Sequence, residues 1–230
     1  MGIPSVLRSS TTVALPQTSN IAAAGGGGGA TSHSLGFAVA PQLQSNWCWA
    51  AVTDSIARYY DSSSSWTQCK VANTALGRSD CCGSGAADGS KCNKPWRLHE
   101  AMALTNNFVG LVPSPMSFSK IQQEVNSGRP VGTRVGWNGG GGHFQAIVGW
   151  TVGVSGDEYL HISDPIYLET QILFQEFAGK YQAGGHWNYS YLSQDAAGGG
   201  GPQIEPPDFI VSVVLPPFHR TLRRLRFQLR

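Results

Sequence analysis

The chain has 230 residues, of which 41% are apolar and 10% aromatic, and its formal net charge is +2. That is enough for one substantial domain with a buried core and tails. No apolar run approaches the roughly 18 residues of a membrane-spanning helix, and the near-neutral balance gives no reason to expect a nucleic-acid partner.

Residues 1–36 are rich in Ser, Thr, Ala and Gly, including Gly25 to Gly29, and read as a flexible leader that cannot bury a core. Arg8 is not followed by the apolar stretch of a secretory signal. Residues 37–43 read as extended, with Pro41 excluding a helix. Over 47–61 the spacing of Trp49, Val52, Ile56 and Tyr60 predicts a helix. A second helix is expected over 66–76. Residues 81–93 are Gly- and Ser-rich, so their shape should depend on cross-links. Short helices are expected over 97–104 and over 117–126, the latter capped by Ser117 or Ser119 and stopped at Ser127-Gly128. After Pro130 the texture becomes strand-like, over 131–135, 143–150, 159–163, 170–174 and 187–192, with a helical turn at 176–181. A Gly/Pro linker at 198–207 precedes an expected last strand at 209–215. Residues 216–230 form a basic tail carrying Arg220, Arg223, Arg224, Arg226 and Arg230, read as a solvated terminus. Helices come first and strands second. The pattern predicts an α+β fold in two lobes, mainly helical over 37–128 and mainly β over 129–215.

There are five cysteines, four of them within residues 69–92. An odd count with Cys48 standing apart suits one free nucleophile plus two disulfides. Adjacent cysteines rarely meet disulfide geometry, so Cys81 and Cys82 should pair one each with Cys69 and Cys92, in either order. No Cys-x-x-Cys or His-x-x-x-His spacing is present, and no metal site is expected. Two disulfides imply an oxidising destination, hence a secreted or exported protein.

Cys48 falls in Gln42-Leu43-Gln44-Ser45-Asn46-Trp47-Cys48-Trp49-Ala50-Ala51, at the expected first turn of a helix. The positive helix end and the unpaired N–H groups there favour a thiolate, the nucleophilic form. Such a sulfur needs a base, and His143, opening an expected buried strand after Gly141-Gly142, is the leading candidate. His161 is the rival, ranked below because strand alternation sets it on the face opposite Asp164. Asp164, before Pro165 at the end of a neighbouring strand, is placed to orient the imidazole. A tetrahedral oxyanion needs donors. The Cys48 N–H is one, and a side-chain amide from Gln42, or alternatively Gln44, is the other. Trp47 and Trp49 are expected on the cleft walls. His33, His99, His186 and His219 lack comparable context.

Taken together, Gln42-x5-Cys48-Trp49-Ala50-Ala51, Gly142-His143-Phe144 with the apolar run to Trp150, and Asp164-Pro165 resemble the papain-like cysteine peptidases. The bacterial branch, with the staphopains, the effector cysteine proteases of plant pathogens and the bacteriocin leader peptidases, is the most similar. The resemblance spans roughly residues 37–193. It implies a two-lobed fold with the active site in the cleft between a helical lobe and an antiparallel β lobe. It also implies hydrolysis of protein or peptide substrates through a thioester acyl-enzyme, with no cofactor. By position Cys48 matches the nucleophile, His143 the base, Asp164 the third member and Gln42 the oxyanion donor. The third member is Asp where papain has Asn, and the interval from Cys48 to His143 is shorter than papain's, so papain's substrate loops do not carry over. The same triad would also serve other acyl transfer (deamidation or transglutamination), or the fold would serve as an inactive binding module. A monomer is expected.

Overall fold

The computed structural model describes residues 29–182 and 184–197. The first 28 residues, the linker from 198, the expected strand at 209–215 and the basic tail lie outside the described residues.

Five helices are described. α1 (Cys48–Tyr60) buries every residue from Cys48 to Ala57. A helix buried on every side over about three turns sits at the centre of a core, here with Thr53, Asp54 and Ser55 among its buried residues, and the small Ala50, Ala51 and Ala57 let neighbours pack close. α2 (Gln68–Leu76) starts at Thr67, whose hydroxyl accepts from the Lys70 N–H, and stops at Gly77 in the left-handed region (φ 61°), a conformation glycine adopts without strain. α3 (Leu98–Leu104) buries Leu98, Ala101 and Met102. α4 (Phe118–Asn126) is capped by Ser117 and buries Phe118, Ile121 and Val125, an i, i+3, i+7 stripe. α5 (Phe174–Gly179) buries Phe177.

The strands are β1 (Thr31–Ser34), β2 (Phe108–Val112), β3 (Val131–Trp137), β4 (Gly142–Val152), β5 (Glu158–Asp164), β6 (Leu168–Leu173) and β7 (Gly185–Ser193). They form one seven-stranded antiparallel sheet ordered β2-β7-β3-β4-β5-β6, with β1 beside β4. The sheet separates two cores. On one side α1, α2 and α3 pack with Phe144, Ala146 and Val148 of β4. On the other, α4 and α5 pack with Val131, Val135, Ile147, Trp150, Leu160 and Ile162. A bulge against β5 between Ile147 and Gly149 resets the alternation, which is why Val148 and Trp150 face opposite cores.

The α+β class is as expected, but three boundaries move. Residues 31–34, assigned above to the leader, are a strand. β3 leaves β4 after the pair Val131↔Ile147, and β1 takes over that edge from Ser34↔Gly149 to Thr31↔Val152. A side chain at Gly149 would meet His33 O at 2.8 Å and His161 Nδ1 at 2.6 Å, so glycine is what lets β1 approach. β2 falls inside the span read as helical. It follows a turn with Asn106 at φ 59° and pairs with β7. Finally, α4 packs in the second core although the sequence division placed it in the helical lobe. Of the stretch expected to be extended, 37–43, residues 37–42 belong to no regular element and the chain bends at 43. Phe37 and Val39 point inward, and the N–H groups of Val39 and Ala40 donate to Ser163 Oγ (2.8 Å) and Ser55 Oγ (3.0 Å).

Candidate active site

Cys48 is the first residue of α1 and the free cysteine among the five. The cap, Trp47, offers no side-chain acceptor to the first turn, so the N–H groups there stay available beside the sulfur. The stretch around Cys48 is gripped by a strap of irregular chain. Trp47 Nε1 donates to Cys92 O (2.8 Å) and Trp49 Nε1 to Lys94 O (3.0 Å). Between them, Asn93 accepts from Asn46 through Oδ1 (2.9 Å) and its carbonyl (3.0 Å), and its Nδ2 donates to Ser45 Oγ (2.9 Å). The strap is cross-linked at its start by Cys81–Cys92, while Cys69–Cys82 ties the same insert to α2. Of the two pairings left open by the sequence, this is the one formed. Asp80, Cys81 and Cys92 lie close enough together to suggest metal ligands, but both sulfurs are committed to the disulfide.

The second half of the site is built by strand register. His143 opens β4 opposite Val135, and Asp164 closes β5 one step beyond the pair Ala146↔Ser163. Both are almost fully buried. His143 Nε2 lies 2.9 Å from each carboxylate oxygen of Asp164. Cys48 lines the same cleft as His143, and its side chain is among the neighbours that raise the imidazole's pKa. Trp137 stacks on the ring (centroids 6.3 Å apart, planes 17° apart), and Tyr167 meets it edge-on at 6.1 Å. Asp164 Oδ1 also accepts from the N–H groups of Ile166 (2.7 Å) and Tyr167 (2.9 Å), and Oδ2 accepts from Tyr181 Oη (2.9 Å). Burial alone would push the imidazole towards neutrality. The hydrogen bond to Asp164, and after it the nearby Cys48, outweigh it and raise its pKa from 6.5 to about 9.

Cys48 and His143 open onto a cleft of about 320 Å³ walled by Trp49, Trp96, Trp137, Phe144, Ile166 and Tyr167. Trp47, expected on a cleft wall, is instead buried in the helical core. Gln42 sits beside the site rather than aimed into it. Its Nε2 donates to Gln44 O (2.9 Å) and Ser45 O (2.8 Å), closing its own turn. Its backbone N–H reaches Pro165 O (3.1 Å), linking this turn to the one after Asp164. Gln44 contributes that carbonyl and does not line the cleft. His161 is turned away, beside Thr151 Oγ1 at 2.8 Å, and burial lowers its pKa. His33 lies in β1, His99 packs against Phe108 and Tyr191, and His186 Nε2 bonds Asn138 Oδ1. His219 is outside the described residues.

Four residues that the sequence reading did not single out hold the site. Asn93 grips the loop before Cys48, and Trp137 covers the imidazole. Tyr181 grips Asp164. Gln68 fixes residues 41–43 by accepting from Leu43 N (2.8 Å) and donating to Pro41 O (2.9 Å). None of these stands in a motif. The nearest sequence signal is that Asn93 follows Cys92 directly.

Comparison with curated proteins gives no match. Comparison with family models does: the model described as papain-like cysteine protease AvrRpt2 matches residues 31–182, from the first residue of β1 to the turn after Tyr181 and so across Cys48, His143 and Asp164. The chain therefore belongs to the papain-like cysteine protease AvrRpt2 family, and its α+β architecture is the papain-like one.

Proposed function

We propose that the protein is a cysteine endopeptidase in which Cys48 is the nucleophile, His143 the acid–base group and Asp164 the group that orients it. The observation that carries this reading is one buried imidazole, bound through Nε2 to a carboxylate, that lines an open cleft together with a sulfur at a helix N-terminus. His143 is held protonated to about 9, which suits a thiolate–imidazolium pair near neutral pH. The sulfur attacks the scissile carbonyl carbon and forms a tetrahedral oxyanion. The N–H of Cys48 is one donor to that oxygen. Gln42 Nε2 is the second, on exchanging one of its two loop carbonyls for the oxyanion. The C–N bond breaks as His143 gives its proton to the leaving amine, and a thioester remains. Water, deprotonated by His143, then releases the acid and restores the thiolate. Asp164 keeps the ring in one orientation throughout.

The test is proteolysis of an unfolded protein substrate with products read by mass. Fragments with new termini, lost in Cys48→Ala while the fold persists, support the reading. A mass shift on uncut substrate would assign the chemistry to deamidation or amine transfer, and full cleavage by Cys48→Ala would remove the nucleophile. We also propose an exported protein, because two disulfides persist best in an oxidising compartment. Recovery of the cross-linked form from the reducing cytosol would contradict that. No helix among the described residues is long and apolar enough to cross a membrane.

A further inference from the structure

Resting on that reading, we propose that Tyr181 is a positioning residue of this site: its phenol holds Oδ2 of Asp164 and sets how tightly the carboxylate grips the proton on His143. The carboxylate is served unequally. Oδ1 accepts from two backbone N–H groups besides the imidazole, those of Ile166 and Tyr167, whereas the donor to Oδ2 besides the imidazole is Tyr181 Oη. The two oxygens therefore differ in what a mutation can remove. The donors to Oδ1 belong to the turn itself, while the donor to Oδ2 is one side-chain hydroxyl.

A purely space-filling role does not require that hydroxyl. Tyr181 is fully buried, with Phe177 at 5.2 Å and Tyr167 at 6.3 Å between ring centroids, and a phenylalanine would occupy the same volume. The backbone around it is specialised as well. Tyr181 and Gly185 exchange two hydrogen bonds of 2.7 Å, and Gln182 sits at φ 49°, a region that non-glycine residues seldom adopt. That turn delivers the phenol to the carboxylate. Burial, and then the charge of Asp164, push the phenol's own ionisation upward, so it remains a neutral donor. A carboxylate given a donor is a weaker base. Tyr181 thus weakens the hold of Asp164 on the imidazolium and eases the step in which His143 gives its proton to the leaving amine.

The other titratable groups facing this pair are Cys48 from α1 and Tyr167 from the turn after β5. Arg134 of β3 is turned to Gly141 O and Asn188 Oδ1. His161 lies on the other face of β5, and His186 of β7 is exposed on Asn138. Glu169 of β6 and Glu176 and Lys180 at α5 are exposed.

The experiment uses the full chain with Tyr181→Phe. It measures the rate at which an anionic epoxide alkylates Cys48 across pH, together with peptide turnover normalised to titrated sites. The wild-type labelling rate should fall as pH rises through about 9, where His143 loses its proton. In the variant, Oδ2 leans on the imidazolium alone, so the falling limb should move up by about half a pH unit. The value of kcat should drop by up to about threefold with KM unchanged. A folded variant with an unmoved limb overturns the proposal, whatever happens to its stability. A second arm places 3-fluorotyrosine at 181. The stronger donor should move the limb down, and an unmoved limb overturns the proposal even if Tyr181→Phe does not fold. Failure of the wild type to label at Cys48 takes down the peptidase reading and this inference together. Normal wild-type labelling with an unmoved limb takes down only the role of Tyr181.

Discussion

The two halves of the site are held by different means. The sulfur's half is irregular chain. The loop Ser45–Trp49 hangs on the carbonyls and one side chain of residues 92–94, and that strap is anchored by a disulfide. The imidazole's half is regular. β4 and β5 set His143 beside Asp164, and a shell of backbone and phenol donors fixes the carboxylate. The first half depends on covalent closure of a small loop, the second on sheet register and buried hydrogen bonds. They should therefore fail separately, under different perturbations.

The largest expected effect comes from removing chemistry while keeping both scaffolds. His143→Ala should lower turnover by about 10³-fold or more, with the native circular dichroism spectrum kept and the melting transition lowered by loss of the pair with Asp164. Loss of folding instead would mean that the imidazole is mainly structural. Next comes the strap. Opening Cys81–Cys92 by paired serine substitution should destabilise the protein by about 2–3 kcal/mol and slow Cys48 labelling. Labelling at the wild-type rate in that variant would show that the strap does not position the sulfur. Asn93→Ala tests the same contact without touching the cross-link, with about 1–2 kcal/mol expected from its lost hydrogen bonds.

A third effect separates the halves by pH. The folded-state pKa of His143 is raised above its ordinary 6.5 to about 9. Its stabilising contribution is therefore complete below 6.5 and is lost as pH rises through about 9. Denaturant unfolding should show a loss of about 3 kcal/mol between pH 6 and pH 10, and His143→Gln should flatten it. The smallest effect lies in α1. Asp54 is buried, with one oxygen on Arg58 at 2.7 Å, and its other oxygen has no partner among the described residues. Burial, against the opposing pull of Arg58, raises its pKa from 3.8 to about 6. Its contribution is present below 3.8 and lost as pH rises through about 6, so the charged form strains the fold at neutral pH. Asp54→Asn should stabilise the protein by about 1 kcal/mol at pH 8 and by nothing at pH 4, read by thermal unfolding.

What the sequence made legible was the placement of candidate residues in short motifs. Cys48 at a helix start, His143 opening a buried strand and Asp164 before Pro165 were each readable because residue type and local pattern agreed. The helices over 47–61 and 117–126 were readable from apolar spacing and a serine cap. What was not legible depends on partners distant in sequence. β1 is Thr-Ser-His-Ser with every residue exposed, so no alternation announces it, and only a vacant edge of β4 recruits it. The signal of β2 is broken by the Asn106 turn before it and by Gly110 within it, and its pairing with β7 spans some eighty residues. Trp47 and Trp49 look alike in sequence and both are buried in the helical core, yet only Trp49 also borders the cleft. Tyr181 and Asn93 contact residues 17 and 47 positions away, Asp164 and Asn46, which no local pattern links to them.

The most direct measurement is an NMR titration of the His143 ring in the intact protein and in Cys48→Ala. An imidazole coupled to that sulfur should titrate near 9 in the wild type and distinctly lower once the sulfur is gone, while staying bound to Asp164. A ring that titrates near the ordinary 6.5, or whose midpoint ignores the loss of Cys48, would contradict the pairing on which the proposed catalysis stands.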